Sequence, residues 1–308
     1  MAATLGLSAY IDVPTYLRSP VNQETVTLLG LNTTLSAGST PAGTTALGVV
    51  SSTGWAVGTA WLLDGPYSEI VTITGSADGT HVTLAAPGTQ FAHGLGASIS
   101  QAGTAGSLAE TLLRASAWVE NYCQQGTGGG DRSLYAVART ERWGMPSTRA
   151  YIDRDNVVAV MPGHFPVQSV SALSIEFGQG QSLSLDVSQL EEMTVGRMVE
   201  VPYLLAGGPT VGQQLFLDTV GLSRTRRQWA VLSYVGGITP GSIPYDVQQA
   251  AALIASEVLG QRRNPTGAAE YKLGKLDVVQ RQRGDAVGDS ILLLRARDLL
   301  QPYRSEVW

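Results

Sequence analysis

The chain has 308 residues, 20 Lys and Arg against 25 Asp and Glu, and a formal net charge of −5. Its 44% hydrophobic content can build a sizeable core, and its length suggests two domains. An acidic balance argues against a protein that wraps nucleic acid by neutralising phosphates.

Charge divides the chain. Residues 1–107 carry six charges (Asp12, Arg18, Glu24, Asp64, Glu69 and Asp78), and none lies between Glu24 and Asp64. The other 39 fall in the remainder, a composition shift that marks a module boundary. The uncharged stretch is rich in β-branched residues, which argues against disorder. Strands are expected at Glu24–Leu29, Thr45–Ser51, Thr59–Leu63, Ser68–Thr74, His81–Ala85 and Ala97–Ser100. In the fourth, Val71 and Ile73 face one way and Ile70, Thr72 and Thr74 the other. Ala77-Asp78-Gly79 reads as a tight turn. Residues 20–104 therefore read as a small antiparallel sandwich or barrel.

A helix is expected next, over about 107–123. Ser107 and Glu110 form a capping box, and Leu108, Leu112, Ala115, Val119 and Tyr122 share a face. The Gly-rich run Gln124–Asp131 stops it. A β region follows over about 147–234, with strands at Ser147–Asp153, Val157–Met161, Val167–Phe177, Met198–Leu205, Gln214–Leu217 and Gln228–Tyr234. Pro244 opens a second helix over 245–263, with Val247, Ala251, Ile254 and Val258 on its apolar face. Arg262 and Arg263 suit its C-terminus, and Asn264-Pro265 ends it. A last helix spans 290–300, and Pro302 separates it from the tail 301–308.

Chemical motifs are sparse. The single cysteine, Cys123, excludes an intrachain disulfide and a cysteine zinc site; it reads as a small buried hydrophobe. His81, His93 and His164 lack metal-ligand spacing, and His164 reads as a turn or interface residue. The glycines at 126–130 follow a helix rather than a strand and lack a Walker lysine, so they read as a connector. Asp153-x-Asp155-Asn156 reads as a hairpin turn rather than a calcium loop. No nucleophile elbow, zinc-protease or Ser-x-x-Lys motif occurs, so no catalytic site, metal or cofactor is expected. Met1–Asp12 lacks the basic residues and apolar run of a signal peptide, and no segment has membrane-spanning length. Arg224, Arg226 and Arg227 form the densest basic cluster, read as a solvated loop or a protein interface. The six tryptophans are scattered and form no stacking platform of the single-strand-binding kind.

From Gly106 onward the chain resembles the head–tail connector, or adaptor, proteins of tailed bacteriophages. The resemblance rests on the leading helix SLAETLLRASAWVENYCQ, the unit PGHFPVQSVSALSIEFG, the segment WAVLSYVGGITPGSIPYDVQQAAALIASEVLGQRRNP and the ending DLLQPYR. It implies an α+β core, a small helical bundle with antiparallel β elements. Residues 1–19 and 105–308 would form that core. Residues 20–104 would be an inserted N-terminal all-β module, similar to small β modules of phage structural proteins.

The resemblance further implies a virion protein made in the host cytoplasm. It would form a homo-oligomeric ring of twelve subunits, bound to the portal protein and to the next neck or tail-completion protein. DNA would pass through the lumen without sequence-specific binding, and no membrane is involved. The acidic balance suits a channel in which DNA slides. Leu299, Leu300, Tyr303, Arg304 and Trp308 are the expected partner-binding residues, because Tyr, Trp and Arg dominate binding hot spots. Two other classes remain open: a tail-fibre or adhesin-like binding protein, and a phage hydrolase carrying a β binding module. Repeated copies of the module would favour the first, and titratable groups clustered in a pocket the second.

Overall fold

The structure is a computed structural model, and it describes residues 7–20, 31–36, 39–76, 78–101, 108–123, 133–153, 157–177, 181–190, 192–194, 197–202, 228–263, 270–273, 276–279 and 291–305. The expected strands Glu24–Leu29 and Gln214–Leu217, the cap residue Ser107, the 126–130 glycines and Asn264-Pro265 lie outside them. The fold is α+β. Contacts cluster in two units, one mainly of residues 124–242, the other of 5–123 with 243–304.

The second unit opens with a short helix, α1 (Val13–Arg18), which the sequence reading did not place. Asp12 caps it, its Oδ1 accepting the Thr15 N–H at 2.6 Å. Strands β1 (Asn32–Thr34), β2 (Ser39–Thr40), β3 (Ala46–Gly48), β4 (Gly58–Leu63), β5 (Glu69–Ser76), β6 (His81–Leu84), β7 (His93–Gly94) and β8 (Ser98–Gln101) follow. Six of them form one antiparallel sheet in the order β1-β8-β4-β5-β6-β3. The sheet curls until its edges meet: the Val50 N–H donates to the Thr34 carbonyl at 2.9 Å and Ser36 N–H to Gly48 at 3.0 Å. Those bonds satisfy backbone groups that an open sheet would expose. Alternation in β5 follows expectation, with Val71 and Ile73 buried and Ile70, Thr72 and Thr74 exposed. With Leu47, Leu62, Val82 and Ile99 they form the core of the curl. At the β5–β6 turn the Asp78 carboxylate is held at about 2, first by the Thr80 backbone N–H and then by the His81 ring.

Helices α2 (Leu108–Cys123), α3 (Tyr245–Arg263) and α4 (Ile291–Leu300) match the expected spans within a residue. They pack on one another, and α2 also leans on β4 and β8. Leu108, Leu112, Ala115 and Val119 are buried; Tyr122, expected on the same face, is only half-buried. On α3, Val247, Ala251 and Ile254 are buried and Val258 is half-buried. Two buried tyrosines tie α1 to this layer. Tyr10 donates to Glu120 Oε1 at 2.8 Å, and the Tyr16 and Ser256 hydroxyls are 3.0 Å apart. Cys123 is fully buried, and burial pushes its thiol up to about 12, so it packs as a hydrophobe.

Ile254 is 1% exposed at the centre of the helical layer. Ile254→Asp is expected to cost about 3–5 kcal/mol, because the carboxylate meets no partner there. Denaturant unfolding of the full chain measures it, and an unchanged midpoint would contradict the packing.

The first unit contains β9 (Val137–Met145), β10 (Ala150–Ile152), β11 (Val157–Val160), β12 (Val167–Phe177), β13 (Gln181–Ser184), β14 (Glu192–Thr194), β15 (Met198–Pro202) and β16 (Gln228–Gly236). They form two four-stranded antiparallel sheets, β13-β12-β16-β9 and β10-β11-β15-β14. Leu173, Ile175, Leu232 and Tyr234 of the first share one core with Val158, Val160, Val199 and Val201 of the second. This β region starts at Val137, ten residues before the expected Ser147. The hairpin β17 (Glu270–Leu273) and β18 (Leu276–Val279), within 243–304, was not expected either.

Candidate interaction surface

Of the residues expected to bind a partner, Leu299, Leu300, Tyr303 and Arg304 lie at the end of α4. Leu300 is fully buried, so it packs inside its own subunit and offers no surface. Leu299 and Tyr303 are half-buried and Arg304 is exposed. Trp308 and the cluster Arg224, Arg226 and Arg227 lie outside the described residues. Pro302 sits in a single 3-10 turn, Gln301–Tyr303, that ends the helix as expected. Burial, and next the charge of Asp246, push the Tyr303 phenol up.

What the sequence reading missed stands beside them on α2. Trp118 and Tyr122, four residues apart, stack with ring centroids 5.4 Å apart and planes at 7°. The Arg297 guanidinium lies 5.9 Å from the Trp118 ring and 5.8 Å from Tyr122, and Arg304 lies 5.5 Å from Tyr122. The Tyr122 hydroxyl also reaches Gln301 Oε1 at 3.5 Å. Each such cation–ring contact contributes about 0.5–1 kcal/mol at an exposed site. Together they hold two arginines and two half-buried aromatic rings in one fixed array. One turn earlier on the same stripe, Arg114 pairs with Glu110 at 2.6 Å. The array offers guanidinium N–H groups and aromatic edges to a partner.

Two buried polar clusters lie elsewhere. In the curled sheet, His93 sits between two carboxylates, Nε2 at 2.7 Å from Glu69 Oε1 and Nδ1 at 3.1 Å from Asp64 Oδ2. The ring is fully buried and Glu69 is 4% exposed. Glu69 also accepts the Gln90 N–H at 2.8 Å, and Asp64 the Gly94 N–H at 3.1 Å. Burial alone would lower the His93 pKa; the hydrogen bonds and charges of Asp64 and Glu69 outweigh it and raise the pKa above the usual value. Each ring nitrogen thus has a carboxylate oxygen within hydrogen-bond distance. The cluster pins the 89–94 loop to β5.

The other cluster surrounds Pro162–Pro166. His164, expected in a turn or at an interface, is fully buried, and its Nε2 donates to the Ser133 carbonyl at 3.0 Å. Its backbone N–H donates to the Tyr234 hydroxyl at 3.0 Å, and Gly163 N–H donates to buried Glu141 at 2.8 Å. Burial, then the Glu141 charge, raise the Tyr234 pKa. The Gly236-Gly237 pair closes this corner. A Cβ on Gly236 would stand 2.6 Å from the His164 carbonyl, and one on Gly237 (φ +121) 2.5 Å from that of Tyr135. Among the described residues, no three His, Cys, Asp or Glu side chains converge to hold a metal ion, and no helix is long and apolar enough to cross a membrane.

No protein-family model matches the sequence, and no curated protein is significantly similar to it. A chain in a solved structure of the neck of an empty GTA particle, computed with C6 symmetry, is similar at a TM-score of 0.32 and 16% identity, over 65% of this chain and 78% of that one.

Proposed function

We propose that this chain is a structural virion protein of a tailed phage or phage-like particle. Copies form a closed ring that connects the portal to the tail or neck, and the ring lines part of the DNA channel. The observation that carries the proposal is the Trp118–Tyr122–Arg297–Arg304 array, which holds Trp, Tyr and Arg in one half-buried group that ends in the exposed Arg304. These are the residue types that anchor protein interfaces, and pre-ordering them lowers the entropy lost on binding. The ordered segments of the adaptor resemblance support the same reading. One of them, Tyr234-Val235-Gly236-Gly237, forms the corner where only glycine fits.

The role is structural rather than catalytic. His93 is sealed between carboxylates, where it has no reach to a substrate. Removing Tyr303–Trp308 is expected to leave a folded, soluble subunit that no longer attaches to DNA-filled heads. Attachment by the shortened chain at the normal level would contradict the reading.

A further inference from the structure

The helical layer carries a cavity of about 350 Å³ between α1 and the first two turns of α3. That volume lies at the small end of ligand-pocket sizes and accommodates a few side chains. Ile11 and Ala252, 4% and 2% exposed, give it an apolar floor. Thr15 and Gln249 add polar walls, and Arg18 and the 71% exposed Tyr245 stand at its rim.

The walls are fixed in place. Tyr16 and Ser256 join α1 to α3, Asp12 caps α1, and the Arg18 Nε donates to the Pro14 carbonyl at 3.1 Å. Gln248 is held by its bond to the Ile243 carbonyl at 2.8 Å. Among the described residues, Arg18 is the one charged residue lining the cavity. An occupant that complements it joins a carboxylate to apolar side chains. The sequence contains such a segment directly after Ser305: Glu306-Val307-Trp308.

We propose that Glu306–Trp308 of a second copy of this chain dock in the cavity, Glu306 on Arg18 and Trp308 on the floor beside Tyr245. The inference rests on the ring reading, in which one surface of each copy meets a different surface of the next. Head-to-tail contacts of that kind close into rings when the rotation from copy to copy closes. Arg18 and Tyr245 then act as interface residues.

Sedimentation velocity of the full-length chain across a concentration series tests the contact. Arg18→Glu and Glu306→Arg are each expected to weaken self-association about tenfold or more, and the double exchange to restore it. Arg18 is exposed and both substitutions exchange one charged side chain for another, so circular dichroism should match the wild type. Trp308→Ala should weaken association without altering its charge dependence. Single variants that associate like the wild type, a double exchange that recovers nothing, or a wild-type chain that stays monomeric would each overturn the proposal. Rings that persist in images while the exchange has no effect would remove this contact and leave the connector reading intact.

Discussion

His93→Ala is expected to destabilise the protein by about 3–5 kcal/mol, because it leaves the Glu69 carboxylate buried without its charged partner. Glu69 is 4% exposed and cannot recover its hydration without opening the 89–94 loop. Hydrogen exchange at the Gln90 and Gly94 amides, which donate to Glu69 and Asp64, should rise with the loss of stability. The wild type should show a matching pH dependence. The folded-state pKa of His93 lies above its unfolded value near 6.5. The imidazolium therefore contributes its full stabilisation below that unfolded value and loses it as pH rises through the folded pKa. Denaturant midpoints measured upward from pH 6 should fall in the wild type, with a smaller fall in His93→Ala. A variant within about 1 kcal/mol of wild type would mean that the cluster is not the clamp described.

The second large effect concerns binding. Trp118→Ala combined with Arg304→Ala is expected to reduce attachment of the protein to its particle by about 30-fold or more, the effect of losing a hot spot worth about 2 kcal/mol or more. Stability should also fall, by about 2 kcal/mol, since an aromatic pair and an exposed cation–ring contact are each worth about 1 kcal/mol; the attachment loss is therefore read at a temperature where the variant is fully folded. Arg114→Ala serves as the control. It removes a neighbouring charge whose surface pair with Glu110 contributes little. Equal losses for the control and the double variant would assign the effect to general charge rather than to the array.

Much of the architecture was legible because it depends on local period. The burial alternation of SEIVTIT, the three long helices and the strand Val167–Phe177 follow from spacing alone. β9 was hidden because VARTERWGM carries Arg139, Glu141 and Arg142 and lacks an apolar alternation. Its Glu141 is buried all the same, satisfied by the Gly163 N–H from a distant loop. The short helix α1 has too few residues for a periodic signal and is held by long-range bonds from Tyr10 and Tyr16.

The sites divide in the same way. Trp118 and Tyr122 stand four apart on an expected helix, so their stack could have been read from the sequence. The arginines that cover them come from another helix and the turn after it. Asp64, Glu69 and His93 lie on separate elements, and only the curl of the sheet brings them together. The charge discontinuity after residue 107 marks a real change in composition. Contacts nevertheless group residues 5–123 with 243–304, because α2 leans on β4 and β8 and packs on α3.

Negative-stain imaging of the purified full-length protein tests the central claim most directly. The account predicts closed rings of a single symmetry with an open central channel. Isolated subunits or two-fold dimers at every concentration imaged would contradict it.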